Sequence, residues 1–389
     1  MAQGPVDLRR LPGLFLYMHA CGEEEAAAGS PHAARRLALQ ALFALRRKMV
    51  DNGSRKPKKG GVFVKTIKMK AAIVLTLLMI LTSVTACGSS GKLRIGTAGE
   101  GGNYSSLGHA LSDTLSGDPY KMEVEVKTTA GSAANIRLLS QDYLELAFAQ
   151  SDVIDEIYNG TLDTQAIKGY SAVAALYPEP VQIVVRADSQ IVSVEDLAGK
   201  TVSVGEADSG TQKNAAQILQ VYGLTSNMLT VQNMTYTEAV NALRSGAIDA
   251  MFCTAGAPAQ VIADLAKEES IRLVSLGSQQ CGLLTRTYKF YTETVIPAGT
   301  YNGQESDVTT VAVQSVLLAS DKLNEKQVYD ITAALFKEKD TINGAVPVEL
   351  DLREDNAVES ITIPFHPGAA QYYKECGIAI EADGEKGEQ

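Results

Sequence analysis

From residue 92 onward, short apolar runs alternate with amphipathic stretches, and the alternation predicts βα units. Residues 92–97 predict a strand and residues 104–115 a helix, with Leu107, Ala110, Leu111 and Leu115 at helical spacing. Residues 123–127 alternate as a strand does, 132–140 are helical, 144–149 form an apolar strand and 152–158 are helical again. Strands separated by helices of about ten residues pair in parallel. Two β-rich runs, 170–177 and 181–185, then flank Pro178-Glu179-Pro180.

The same grammar resumes in a second set. A short helix and turn at 194–200 precede a strand at 201–204 and a helix at 211–222. A strand at 229–232 and a helix at 235–243 follow, the helix stopped by Ser245-Gly246. The strand at 248–253 ends at Thr254-Ala255-Gly256-Ala257-Pro258, before a helix to Lys267 and a closing strand at 271–276. Residues 307–318 are again β-rich, followed by a helix at 324–337, the stretch 361–369 and a helix at 370–375. This returning segment holds no complete βα repeat, so it is expected to complete the first domain. The expected architecture is therefore α/β with two lobes: 88–186 with 307–380 as the first and 187–306 as the second. The chain would cross between them near Val185 and near Asp307. Residues 381–389 are charged and expected to be disordered.

Charge divides the chain unevenly. Residues 1–87 carry 14 Lys/Arg against 5 Asp/Glu, leaving 21 basic against 40 acidic residues, a net charge of −19, for the remainder. Nucleic acid is a poor partner for so acidic a body. Lys65, Lys68 and Lys70 precede an apolar run at 71–81 and then Val84-Thr85-Ala86-Cys87, the pattern of a secretory signal over residues 64–87. The apolar run is too short to span a bilayer. A cysteine after Val84-Thr85-Ala86 resembles the lipobox of bacterial lipoproteins, which implies acylation of Cys87 and a lipid anchor in the membrane. Residues 1–63 stand before that signal, where a folded domain has no place. They read as a non-native extension, with Val64 or Met69 as the true start and a ribosome-binding sequence hidden in the codons of Lys59-Gly60-Gly61.

Four His, no Trp and no metal-like Cys spacing argue against a His-rich metal site or an aromatic sugar platform. Cys253, Cys281 and Cys376 read as buried thiols, with a Cys253–Cys281 disulfide as the alternative. No cofactor motif is present: Gly99-Glu100-Gly101-Gly102 departs from dinucleotide and P-loop spacings. Ser105 and His109, four apart on a helix, suggest nucleophile and base, but no third partner supports a hydrolase, and the expectation is not an enzyme.

Three junctions carry the candidate chemistry. Thr97-Ala98-Gly99-Glu100-Gly101-Gly102-Asn103-Tyr104, Gln150-Ser151-Asp152 and Asp208-Ser209-Gly210-Thr211 each follow a β-rich run and open a helix, where backbone N–H groups suit an anion. With these, Gly131-Ser132-Ala133-Ala134-Asn135, Asp196-Leu197-Ala198-Gly199-Lys200, Ile296-Pro297-Ala298-Gly299-Thr300-Tyr301 and His366-Pro367-Gly368-Ala369 make the chain resemble the TAXI family of TRAP-transporter solute receptors over nearly all of residues 92–378. The resemblance implies a type II periplasmic-binding-protein fold with two hinge crossings, and an extracytoplasmic receptor that hands its ligand to a TRAP-type membrane permease. A binding protein that reports to a receptor kinase has the same fold and is the other reading.

Ligands of open α/β sheets sit beyond the carboxyl ends of the strands. The expected ligand residues are Gly101, Gly102, Tyr104, Gln150, Ser151, Asp152 and Tyr177 from the first lobe. Asp208, Ser209, Gly210, Thr211, Asn214, Gly256 and Pro258 are expected from the second. Ser209 and Asp208 serve equally well as helix caps, and Asp152 as a first-turn residue. Lys213 is the one basic residue on these loops and reads as solvated. A small carboxylate held by helix N-termini, with Asp152, Glu206 or Asp208 free to meet an ammonium, suits an amino acid or a dicarboxylate such as glutamate or 2-oxoglutarate.

Overall fold

A computed structural model describes residues 92–160, 165–225 and 227–380. The expected extension at 1–63, the signal at 64–87 with its Cys87, and the tail at 381–389 lie outside the described residues.

The first lobe opens with β1 (Leu93–Gly96), α1 (Asn103–Ser116), β2 (Val124–Lys127), α2 (Ser132–Ser140), β3 (Leu146–Gln150) and α3 (Ser151–Asn159). β1 pairs in parallel with both β2 and β3. The chain then enters β4 (Tyr170–Arg186), one uninterrupted strand of 17 residues where two were expected. Pro178 and Pro180 do not break it because residues two apart turn the same edge, and at this point only the other edge carries a neighbour, with Pro178 opposite Gln314 and Pro180 opposite Ala312.

The second lobe repeats the plan with β5 (Thr201–Ser203), α4 (Gly210–Val221), β6 (Thr230–Gln232), α5 (Tyr236–Ser245), β7 (Ala250–Thr254), α6 (Gln260–Glu268) and β8 (Ile271–Leu273). Here β5 lies between β6 and β7 in parallel, and β7 runs antiparallel to β4. Two elements absent from the sequence reading follow, α7 (Ser278–Thr287) and β9 (Thr292–Ile296). The return strand β10 (Val308–Ser320) pairs antiparallel with β9, β4 and β3. Helices α8 (Glu325–Lys337), α9 (Lys339–Gly344) and α10 (Pro367–Glu375) complete the first lobe. The strand order β2-β1-β3-β10-β4-β7-β5-β6 thus contains the same parallel triplet twice, each closed by an antiparallel crossing strand.

Four apolar cores cover the two faces of the two half-sheets. In the first lobe, Leu107, Leu111 and Leu115 of α1 meet Ile331, Leu335 and Tyr373 on one face, and Ile136, Leu139 and Val153 fill the other. In the second, Ile218 and Leu284 cover one face, and Val240, Leu243 and Ile262 the other. β4 passes from one lobe's core to the other's between Tyr177 and Val181, and β10 does so between Val313 and Val316. The hinge is thus a pair of adjacent extended strands, and the crossings lie inside them rather than near Val185 and Asp307. Cys253 and Cys281 are both free and buried, so the alternative disulfide does not form; Cys376 is exposed, against the expectation of a buried thiol. His366, in the stretch before α10, caps that helix by accepting from the Gly368 amide at 3.2 Å.

Candidate functional site

A narrow cleft lies between the lobes, beside the crossing strand β4. On the first lobe, the buried Asn135 fixes its wall. Its Nδ2 donates to the carbonyls of Thr97 at 2.6 Å and Phe148 at 2.8 Å, tying α2 to the ends of β1 and β3. Thr129 Oγ1 adds a 2.9 Å bond to the same Thr97 carbonyl, and the Gln150 amide donates to Ser132 Oγ at 3.1 Å. The N-termini of α1 and α2 both reach the cleft here, and neither N-cap residue, Gly102 or Gly131, provides a side-chain cap. The Ala133 amide of α2 is taken by the Asp208 carbonyl of the other lobe at 3.2 Å, and the remaining first-turn amides present positive ends to an anion.

On the second lobe, Tyr236 organises the wall. Its hydroxyl shares a 2.7 Å hydrogen bond with Thr211 Oγ1 and donates to the Thr254 carbonyl at 3.0 Å. Ser209 caps α4 by accepting from the Gln212 amide at 3.1 Å, and it also lines the cleft. Three helix N-termini therefore converge on one cavity.

Six of the fourteen expected ligand residues line it: Gly102, Tyr104, Gln150, Ser209, Gly210 and Thr211. The other eight lie around it. The Gly101 carbonyl accepts from the Val261 amide at 3.1 Å, and the Pro258 carbonyl accepts from Asn103 Nδ2 at 3.5 Å, so both join the lobes. A β-carbon on Gly256 would stand 3.1 Å from the Tyr177 ring, which seats that pair behind the cavity. Ser151 Oγ accepts from the Gln314 amide at 3.2 Å and pins α3 to β10. Asp208 takes a positive φ of 67° and pairs with Arg137 at 2.6 Å across the lobes. Asp152 and Asn214 meet directly at 3.2 Å, and Asn214 also donates to the Tyr291 hydroxyl at 2.8 Å. Lys213 is not solvated: its ammonium lies 2.8 Å from Glu156 Oε2 and 3.4 Å from Asp152 Oδ2, and donates to the Asp152 carbonyl at 2.8 Å. Burial raises the Asp152 pKa, and Lys213 opposes that rise.

The sequence reading passed over Glu179. It projects into the cleft from the crossing strand β4, 2% exposed, and accepts from Gln150 Nε2 at 3.0 Å and the Tyr104 hydroxyl at 3.2 Å. Its one signal was a charged residue in an apolar β-rich run, masked by flanking prolines that read as a turn. Burial pushes its carboxyl up to about 8, against the lowering by these hydrogen bonds. Glu206, also in the lining, is raised by burial and by Glu238. A carboxyl whose pKa is raised on folding favours the folded state fully only below its unfolded value, and that contribution is lost as pH climbs toward 8. Glu179→Gln is therefore expected to match the wild type near pH 4 and to be more stable by about 4 kcal/mol at pH 8, as read by urea unfolding.

Ser105 and His109 stay outside the lining, and His109 is exposed. Among the described residues, no group of three or more His, Cys, Asp or Glu could hold a metal ion, and no helix is long and apolar enough to cross a membrane.

Two α/β lobes hinged on crossing strands, with a polar cleft between them, define the fold class: a two-lobed type II periplasmic-binding fold. The chain belongs to the NMT1-like family, whose profile matches residues 95–377. Among solved structures it is similar to the periplasmic aliphatic sulphonate binding protein SsuA from Escherichia coli, at 17% identity and TM-score 0.40 over 73% of this chain and 82% of that one. It is also similar to PhnD1 from Prochlorococcus marinus, solved with methylphosphonate, at 13% identity and TM-score 0.47 over 67% and 92%. A putative L-cystine ABC transporter from Listeria monocytogenes matches at 16% identity and TM-score 0.41 over 65% and 93%.

Proposed function

We propose that the protein is an extracytoplasmic solute receptor, anchored through Cys87, that captures a small carboxylate between its lobes and delivers it to a TRAP-type permease. An amino acid or a dicarboxylate is the ligand class. The observation that carries this reading is the convergence of the α1, α2 and α4 N-termini on one cleft that no Lys, Arg or His lines. Backbone amides at helix ends bind a carboxylate without a basic side chain. The resemblance of the strand-to-helix junctions to TAXI receptors supports the permease, and the Val84-Thr85-Ala86-Cys87 sequence supports the anchor. Binding without turnover is the role, and lobe closure over the ligand would offer the permease a joint surface.

A thermal-shift screen of the full chain against amino acids and organic acids tests the reading. A ligand at 100 times its dissociation constant is expected to stabilise the protein by about 2.7 kcal/mol. A shift confined to small carboxylates is the expected result. Protein refolded to remove carried-over ligand that shifts with none of them would overturn it.

A further inference from the structure

The helix N-termini account for one end of a ligand and leave the other unexplained. Among the residues lining the cleft, the ionisable groups are Glu179, Glu206, Tyr104 and Tyr236: two acids, two phenols and no base. Lys213, the cation near Asp152, is committed to Asp152 and Glu156. Glu179 is thus a carboxyl in the wall of the cleft whose protein partners are the neutral donors of Tyr104 and Gln150. A buried carboxylate without a cation is costly, and a cation brought by the ligand removes the cost. The lining also carries buried acceptors without protein donors: Gln150 Oε1, Asn103 Oδ1 and Thr254 Oγ1. An ammonium presents three N–H donors to such a set.

We infer that Glu179 is the counter-charge for a protonated amine on the ligand, so that the cleft selects α-amino acids over the corresponding 2-oxo acids. The inference rests on the carboxylate-receptor reading and sharpens it: the carboxylate goes to the helix ends, the ammonium to Glu179. A 2-oxo acid would set a carbonyl oxygen against the Glu179 carboxyl and bring no N–H donor to these acceptors.

The pH dependence has a definite sign. The titratable groups facing Glu179 are the hydroxyls of Tyr104, Tyr177 and Tyr236, the thiol of Cys253 and the carboxyl of Asp152. Burial raises all of them, so the phenols and the thiol stay neutral through pH 8, while Asp152 is paired with Lys213. Between pH 6 and 8, an ammonium must displace the Glu179 proton, so affinity for an amino acid rises with pH and one proton is released on binding. A protonated Glu179 donating to a ligand oxygen would give the opposite slope, with affinity falling above pH 8.

Titration calorimetry on the full chain with three matched pairs tests this: L-glutamate and 2-oxoglutarate, L-alanine and pyruvate, L-leucine and 4-methyl-2-oxopentanoate. The amino acid of the binding pair is expected to bind at least about tenfold tighter than its 2-oxo acid and to gain affinity from pH 6 to 8. Glu179→Gln is expected to reduce the preference below about threefold. N-acetylation of the binding amino acid, which removes the charge, is expected to abolish binding to the wild type, a readout that needs no variant. A 2-oxo acid binding as tightly as its amino acid, or a preference that survives Glu179→Gln, overturns the inference and leaves the carboxylate receptor standing. Binding of neither member of any pair overturns both.

Discussion

Gly210→Ala is expected to weaken ligand binding at least about 100-fold while changing folding stability by no more than about 1 kcal/mol. A β-carbon on Gly210 would lie 1.8 Å from Gln150 Oε1 and 2.4 Å from its Cδ, on the opposite wall of the cleft. Gln150 is 3% exposed and donates to Glu179, so its amide cannot yield without giving up that bond. The alternative is for the lobes to stand apart, and either response destroys the shape that the cleft offers a ligand. With the lobes apart, the fold has no such objection, because Gly210 is the first residue of α4 and takes no left-handed φ that an alanine would strain. Calorimetric titration and urea unfolding on the same preparation separate the two effects. A double variant, Gly210→Ala with Gln150→Ala, removes the collision and is expected to recover lobe closure, seen as a return of small-angle scattering to the wild-type profile. Undiminished affinity in the single variant would mean that the lobes do not close as tightly as Gly210 and Gln150 require.

This close approach shows what the sequence could and could not carry. The βα grammar was legible because each unit obeys local rules: a β-rich run, a glycine-rich turn, an amphipathic helix. The three junctions followed from the same rules, and nine of their residues meet in the cleft. The long strands were only half legible. The apolar runs of β4 were recognised, but their fusion depends on which edge of the strand has a neighbour, a property of β10 rather than of Pro178 and Pro180. Glu179 was hidden for the same reason, since a charged residue between two prolines has the local signature of a turn. Lys213 carries no local signal of pairing because its partners, Asp152 and Glu156, are some 60 residues away in the chain and reach it across the lobes. The short β9 and the helix α7 carry weak patterns, with three of the five residues of β9 exposed, and they are held by β10 and by the core of the second lobe.

Among the described residues, Arg137 and Lys213 are two cations that pair across the lobes, and their environments predict different consequences of removing each. The Arg137 and Asp208 side chains are 39% and 59% exposed, so water competes for both charges. Arg137→Met is expected to cost less than about 1 kcal/mol, and less still at high salt. Asp152 is 5% exposed, and its ammonium partner Lys213 is 21% exposed. Lys213→Met leaves the Asp152 carboxylate buried with only Asn214 and backbone donors, a change expected to cost about 3 kcal/mol at pH 7. The two losses also differ in pH dependence. Burial already raises the Asp152 pKa against the opposing effect of Lys213, and removing that cation lets it climb further. A carboxyl with a raised folded-state pKa loses its stabilising contribution as pH rises above its unfolded value. The Lys213→Met deficit should accordingly be small near pH 4, where Asp152 can take up a proton, and should grow as pH rises to 7. Urea unfolding of both variants at pH 4 and pH 7 reads the difference. Equal costs for the two variants, or a Lys213→Met deficit that shrinks with rising pH, would mean that water reaches Asp152 and that the buried pair is not what holds this side of the hinge.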